Sequence, residues 1–156
     1  MQGSDPDDLR FMRLAFEEAR AAGDLDEVPI GAIIVLDGEI IGRGHNQTRT
    51  LIDPTAHAEI LAIRHAAQTM GVQRLVGATC YSTLEPCFMC AGALSHARMG
   101  RVVWATRDPK FGGCASLGAV LSDERLNHQA TITEGVLADE SAELLRTFFK
   151  SKRGGA

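Results

Sequence analysis

Two short stretches hold residues capable of metal chemistry. One is His57-Ala58-Glu59, inside "DPTAHAEILAIRHA"; the other is "TLEPCFMC", with Pro86, Cys87 and Cys90. Cys87 and Cys90 are three apart, which at a helix start puts both sulfurs on one face. Pro86 has a fixed φ suited to helix entry. Thiols in a first turn feel the positive end of the helix dipole, which lowers their pKa. One histidine and two cysteines make a zinc donor set with its fourth place open to water. On such a metal the pKa of water falls from about 15.7 to about 7.

The glutamate then acquires a role. Side chains two apart on an ideal helix point about 200° away from each other, so His57 and Glu59 can share a site only if it lies off the helix end. A carboxyl placed there can move a proton between water and substrate, worth about 10²–10⁴ in rate. A lone C-x-x-C or a lone H-x-E carries little information. Both at helix starts, separated by one strand, carry much more, and a redox C-x-x-C requires neither His57 nor Glu59.

The elements that must position these groups follow from the pattern. Leu9, Met12, Phe16 and Ala19 recur at helical spacing, with Gly23 as the expected stop. "PIGAIIVL" and "EIIGRG" read as a hairpin turned at Asp37-Gly38. A helix is expected over 54–70, a strand over 78–83, a helix from Cys87 to Arg98, and strands over 101–106 and 130–136. The glycine-rich "DPKFGGCAS" is a loop, and Asp139 and Glu140 open a last helix ending in Lys150 and Lys152. Helices alternate with strands after the hairpin. The fold class is therefore α/β: a three-layer α/β/α sandwich around a mixed sheet of about five strands.

At 156 residues the chain suits a single domain, 1–156, with 1–5 and 152–156 expected to be flexible. No apolar run reaches the roughly 18 residues of a membrane span, and no basic-then-apolar leader is present, so a cytoplasmic protein with no membrane partner is expected. In that compartment Cys80, Cys87, Cys90 and Cys114 are poor disulfide candidates. The net charge of −4 is unevenly spread: residues 1–30 hold eight acids and three bases, while 144–156 hold Arg146, Lys150, Lys152 and Arg153 with no acid. An acidic chain can thus still offer a basic face to phosphate.

These residues carry a family resemblance. "EVPIGAIIV", "GHNQTRTLIDPTAHAEI", "TLEPCFMCAGAL", "GRVVWATRDPK" and "NHQATITEGVLADESAELLRTFF" together resemble the zinc-dependent nucleoside deaminases with their H-x-E…P-C-x-x-C signature, and within them the bacterial tRNA-specific adenosine deaminases. The first signature is shared with cytosine, guanine and deoxycytidylate deaminases; the C-terminal "EGVLADE" with its following Leu and Phe pairs is the part specific to the tRNA enzymes.

The resemblance implies a cytidine deaminase-like fold and a homodimer. It implies one Zn²⁺ per subunit on His57, Cys87 and Cys90, with Glu59 as proton shuttle. It implies hydrolytic conversion of adenosine to inosine, with release of ammonia, at the wobble position of an arginine tRNA anticodon. Asn46 and the Ala58 N–H match groups that contact the target nucleotide, and Asp108, Phe148 and Phe149 match positions near the anticodon loop. Phe111 and Cys114 depart from the smaller residues expected in their loop. From the residues themselves, Val28, Pro29, Ile30 and Leu84 could wall a base pocket, with core packing the alternative for Ile30 and Leu84. Trp104 and Cys80 read as core, Cys114 as an exposed thiol, and Arg107-Asp108 as a local ion pair. Two other functions fit less of the chain: a free-base guanine or cytosine deaminase, and a non-catalytic RNA-binding module whose zinc is closed by Cys80 or Cys114.

Overall fold

Alternation along the strands sorts the side chains into two cores. The computed structural model describes residues 5–154. In chain order the elements are α1 (Pro6–Asp24), β1 (Gly31–Leu36), β2 (Glu39–His45), α2 (Ala58–Met70), β3 (Thr79–Leu84), α3 (Phe88–His96), β4 (Arg101–Thr106), a 3₁₀ turn at Val120–Ser122, β5 (Thr131–Thr133) and α4 (Ala138–Gly154). The five strands form one sheet in the order β2-β1-β3-β4-β5. β1 runs antiparallel to β2 and β3, while β3, β4 and β5 are parallel, so the sheet is mixed.

On one face, Ala32, Ile34, Cys80, Val102 and Trp104 pack against Ala58, Ala62 and Ala66 of α2 and Ala91 and Leu94 of α3. On the other, Ile33, Val35, Tyr81, Val103 and Ala105 meet Phe11, Met12, Ala15 and Phe16 of α1, with Leu144 of α4 beside them. Successive strand residues point to opposite faces, so each strand feeds both cores. The result is the expected three-layer α/β/α sandwich.

Asp37 and Gly38 both adopt positive φ, 51° and 80°, as a two-residue hairpin turn requires. β2 carries glycine where α2 crosses it: a Cβ on Gly42 would lie 2.4 Å from the Ala62 carbonyl oxygen, and one on Gly44 would lie 2.3 Å from that of Ala58. With alanines opposite, that seam holds the helix backbone close to the sheet.

Some boundaries differ from the sequence expectation. α1 runs through Gly23 to Asp24, and the Leu25 N–H closes it on Ala22 and Gly23. α2 starts at Ala58, not 54, because the Asp53 carboxylate takes the N–H and hydroxyl of Thr55 and holds 53–55 in a turn. α3 ends at His96; Arg98 takes a positive φ of 61°. β5 stops at Thr133, two residues before Gly135 turns the chain with φ 84°. Asp5 caps α1 through the N–H groups of Asp7 and Asp8, and Lys152 and Arg153 belong to α4. The remainder of the two ends expected to be flexible, residues 1–4 and 155–156, lies outside the described residues.

An ion pair between buried Asp8 and half-buried Arg101 fastens α1 to the sheet. Arg101 donates to both Asp8 carboxylate oxygens at 2.8 and 2.6 Å and to Thr133, and the Tyr81 hydroxyl donates to Asp8 at 2.8 Å. The Arg101 hydrogen bonds outweigh the cost of burial and, helped by Tyr81, hold the Asp8 carboxyl below the usual carboxylate range.

Candidate active site

His57 is the N-cap of α2 and Cys87 the N-cap of α3, and neither side chain caps its own helix. Both are free to turn toward each other across the helix ends. The His57 Nδ1 lies 3.6 Å from Cys87 Sγ and 3.5 Å from Cys90 Sγ, and all three donor atoms fall within 4.8 Å of one another. A tetrahedral zinc with bonds of about 2.3 Å to sulfur and about 2.0 Å to nitrogen would set its N···S edges at about 3.5 Å. The donor set and its spacing therefore fit zinc. Among the described residues no fourth metal-binding side chain joins this group. Cys80 and Cys114 are buried elsewhere, so the closed four-ligand module is not the arrangement found.

The electrostatics point the same way. Hydrogen bonding to Cys90, against the cost of burial and with help from His57, draws Cys87 down to about 4. Cys90 is pushed far up by its bond to Cys87 and by burial, and the His57 ring is raised chiefly by its bond to Cys87. Two sulfurs that shed the first proton readily and keep the second until a cation replaces it suit a divalent ion.

Glu59, in the first turn of α2, is only 4% exposed. Burial pushes its carboxyl up to about 7, against the pull of its own backbone N–H and the His57 charge. A cavity of about 660 Å³ opens over the cluster. It sits beyond the ends of the parallel strands β3 and β4, the usual place for a site in an α/β sheet. Val28, Ile30, Asn46, His57, Ala58, Glu59, Leu84, Cys87, Asp108 and Phe149 line it, as do Thr48, Glu85, Arg107, Pro109, Lys110, Phe111 and Leu145.

This architecture has known relatives. A family model described as MafB19-like deaminase matches residues 6–153. A tRNA-specific adenosine deaminase of Agrobacterium fabrum is 51% identical over 143 residues, spanning 92% of this chain and 94% of that protein. One of Bacillus subtilis is 47% identical over 146 residues, spanning 94% and 91%. The chain belongs to the tRNA-specific adenosine deaminase family. A solved structure from work on A-to-I editing by tRNA:A34 deaminases at the wobble position superposes with a TM-score of 0.84 at 50% identity, covering 87% of this chain and 99% of that one. A guanine deaminase of Nitrosomonas europaea shares the fold at a TM-score of 0.80 and 25% identity, over 92% of this chain and 84% of that one.

Within the deaminase pocket most of the expected residues meet. Asn46 is buried; its amide donates to the Val28 carbonyl at 3.4 Å, and its Oδ1 has no partner among the described residues. Ala58 opens α2, where a backbone N–H has no carbonyl of its own helix to bind. Leu84 and Ile30 line the cavity while Ile30 also packs on the core.

Several expectations need correcting. Pro29 is buried and does not line the cavity; it alternates with Val28 and Ile30 and faces the other way, toward Gly23 in the last turn of α1. Arg107 does not pair with Asp108. Its guanidinium donates to both Glu134 oxygens at 2.7 and 2.9 Å, while Asp108 accepts from the N–H groups of Lys110 and Phe111. Cys114 is buried, not exposed, and burial pushes its thiol up. Phe111, in contrast, is largely exposed at the cavity rim. Trp104 and Cys80 are core, as expected.

Two buried glutamates that local pattern did not single out hold the pocket walls. Glu27 accepts from the N–H groups of Arg49 and Thr50 and from the Thr50 hydroxyl, fixing the turn after Asn46 and Thr48. Glu85 binds the loop that carries Asp108 and Phe111. Burial works against its charge, but hydrogen bonds from Ser116, Asp108 and Ala115 outweigh that cost and keep its carboxyl below the usual range. An acidic residue directly after the buried strand "TCYSTL" was the available signal, since a buried carboxylate must find donors.

Proposed function

We propose that this protein deaminates adenosine to inosine at the wobble position of a tRNA anticodon and releases ammonia. The supporting observation is the open triangle of His57, Cys87 and Cys90 at the floor of a nucleoside-sized cavity, with the Glu59 carboxyl beside it. One zinc ion per subunit, held by these three side chains, supplies the Lewis acid that makes water nucleophilic at neutral pH. Glu59 takes a proton from the attacking water, delivers it to N1 of the adenine, and later passes one to the departing amino group. Water adds to C6, the C6–N bond breaks, and inosine and ammonia account for all atoms.

Asn46 offers its unpartnered Oδ1 to a donor on the target nucleotide, and the Ala58 N–H contacts the base. Val28, Ile30 and Leu84 wall it with apolar surface. A stacked base cannot reach a recessed floor, so the nucleotide must turn out of the anticodon loop. Phe111 and Phe149, both exposed at the rim, give flanking bases aromatic faces, and Lys110 stands beside them for phosphate. The family's names support a tRNA substrate. Exposed apolar Phe88 and Met89 at the start of α3, with exposed Leu117 next to Gly118, which lies against the Phe88 ring, support a homodimer. No described helix is long and apolar enough to cross a membrane, and a tRNA substrate supports a cytoplasmic location.

The test is inosine formation in an arginine-tRNA anticodon stem-loop with adenosine at the wobble position, with and without a zinc chelator, beside ammonia release from guanine and cytosine. Chelator-sensitive inosine supports the reading. Turnover of guanine or cytosine with an inert stem-loop would replace it with a free-base deaminase.

A further inference from the structure

Glu85 follows the last residue of β3, two positions before Cys87, and is 1% exposed. Its carboxylate accepts from the backbone N–H groups of Asp108 at 3.0 Å, Cys114 at 3.1 Å, Ala115 at 2.7 Å and Ser116 at 2.9 Å, and from the Ser116 hydroxyl. All five donors belong to one loop, 108–116. Only an acceptor-only group can satisfy five converging donors, and an ionised carboxylate is the side chain that does so. The same loop turns Asp108, Lys110 and Phe111 toward the cavity.

The loop also lies directly on the ligand-bearing turn. Gly112 pairs with Cys87 as an isolated antiparallel bridge, and the Gly113 N–H donates to the Pro86 carbonyl at 2.9 Å. A Cβ on Gly112 would stand 2.4 Å from the Glu85 carboxyl carbon, so the chain can wrap this closely only with glycine there. A connecting loop of this kind, with no helix or strand of its own, is ordinarily mobile. Here one carboxylate gathers it from both ends.

We propose that Glu85 is a positioning residue: by anchoring both ends of the 108–116 loop beside the turn that presents Cys87, it holds Asp108, Lys110 and Phe111 in one arrangement for the nucleic acid. This rests on reading the pocket as an RNA-deaminating site. Glu85 does not touch the reacting base in this scheme; it acts through the loop.

The experiment uses zinc-loaded full-length Glu85→Gln and Ser116→Ala. The glutamine is the same size, but its NH₂ must face backbone N–H donors, so part of the anchor is lost without a cavity. Glu85→Gln is expected to raise KM for the stem-loop about tenfold, with kcat within about threefold of wild type, about what one net charged hydrogen bond contributes. Backbone amide exchange at Asp108 and Cys114–Ser116 should speed up about tenfold or more, with β3, β4 and zinc content unchanged. Ser116→Ala, which removes a single donor, should shift both readouts in the same direction by about threefold. A folded, zinc-replete Glu85→Gln with wild-type KM and wild-type exchange overturns the proposal. So does one that loses only melting temperature or kcat, since a purely structural brace predicts that pattern. If Glu85→Gln does not fold, an unchanged KM and exchange in Ser116→Ala overturn it. If wild type forms no inosine, the proposed function fails, while the exchange measurement still decides whether Glu85 anchors the loop.

Discussion

Replacing Gly44 with alanine probes whether the seam between β2 and α2 sets the geometry of the candidate metal site. An ideal Cβ at Gly44 would lie 2.3 Å from the Ala58 carbonyl oxygen and 2.6 Å from the Ala62 nitrogen. Both are backbone atoms, so no side chain can swing aside. Restoring ordinary contact at about 3.5 Å requires a separation of about 1 Å between helix and strand. His57 caps α2 and Glu59 sits in its first turn, whereas Cys87 and Cys90 ride on α3. The shift thus falls between Nδ1 and two sulfurs that now stand 3.6 and 3.5 Å from it.

Misplacing a reacting group by about 1 Å costs on the order of 10²-fold in rate. The overpacking itself should cost about 1–3 kcal/mol, lowering the melting temperature by about 2–4 °C per kcal/mol. Zinc competition against a colorimetric chelator, kcat/KM for inosine formation and thermal melting would all be measured. Gly23→Ala is the comparison: its Cβ would make an ordinary 3.8 Å contact with Pro29, and alanine in the last turn of α1 should be neutral or slightly stabilising. A Gly44→Ala protein that holds zinc as tightly as wild type, with kcat/KM within about threefold, would refute the reasoning.

Further outcomes follow from the same geometry. Glu59→Ala should lower kcat by about 10²–10⁴ while elemental analysis still finds zinc, because the carboxylate is not part of the ligand triangle; loss of the metal would place Glu59 among the ligands. Cys87→Ala should fail to retain zinc through dialysis and should form no inosine, and a variant still holding stoichiometric metal would remove Cys87 from the site. Asp8→Asn should cost about 1–3 kcal/mol near neutral pH by urea unfolding, since it removes the buried charge that faces half-buried Arg101. Because the folded pKa of Asp8 is lowered, the wild-type advantage is full above the unfolded value of about 3.9 and shrinks as pH falls below it. An advantage that grew on acidification would contradict the assignment.

The parts of the fold governed by neighbours in sequence were readable from it. Asp37-Gly38 specified the hairpin because both residues tolerate positive φ. His57 and Glu59, two apart, pointed to a site off a helix end, and His57 is indeed the N-cap. The start of α2 was misplaced because periodicity could not show that Asp53 would capture Thr55 in a turn. Pro29 was assigned to the wrong side because its orientation is set by packing against Gly23 in the last turn of α1, a contact that the apolar run beginning at Pro29 does not announce. Glu85 went unremarked for a different reason: its place after a strand marks it as a buried acid in need of donors, but the five donors lie 23 to 31 residues away and cannot be named from local pattern. Cys114 read as exposed from its glycine-rich setting, yet that same loop folds it inward against Pro86.

The cavity takes its parts from opposite sides of the sheet. The candidate metal ligands and Glu59 are suspended from α2 and α3, while Leu145 and Phe149 come from α4 on the other side. The metal-ligating triangle and this wall of the cleft therefore rest on different layers. Substitutions at Leu145 or Phe149 would alter one wall of the cleft without touching the bed of alanines and glycines that seats the His57–Cys87–Cys90 triangle.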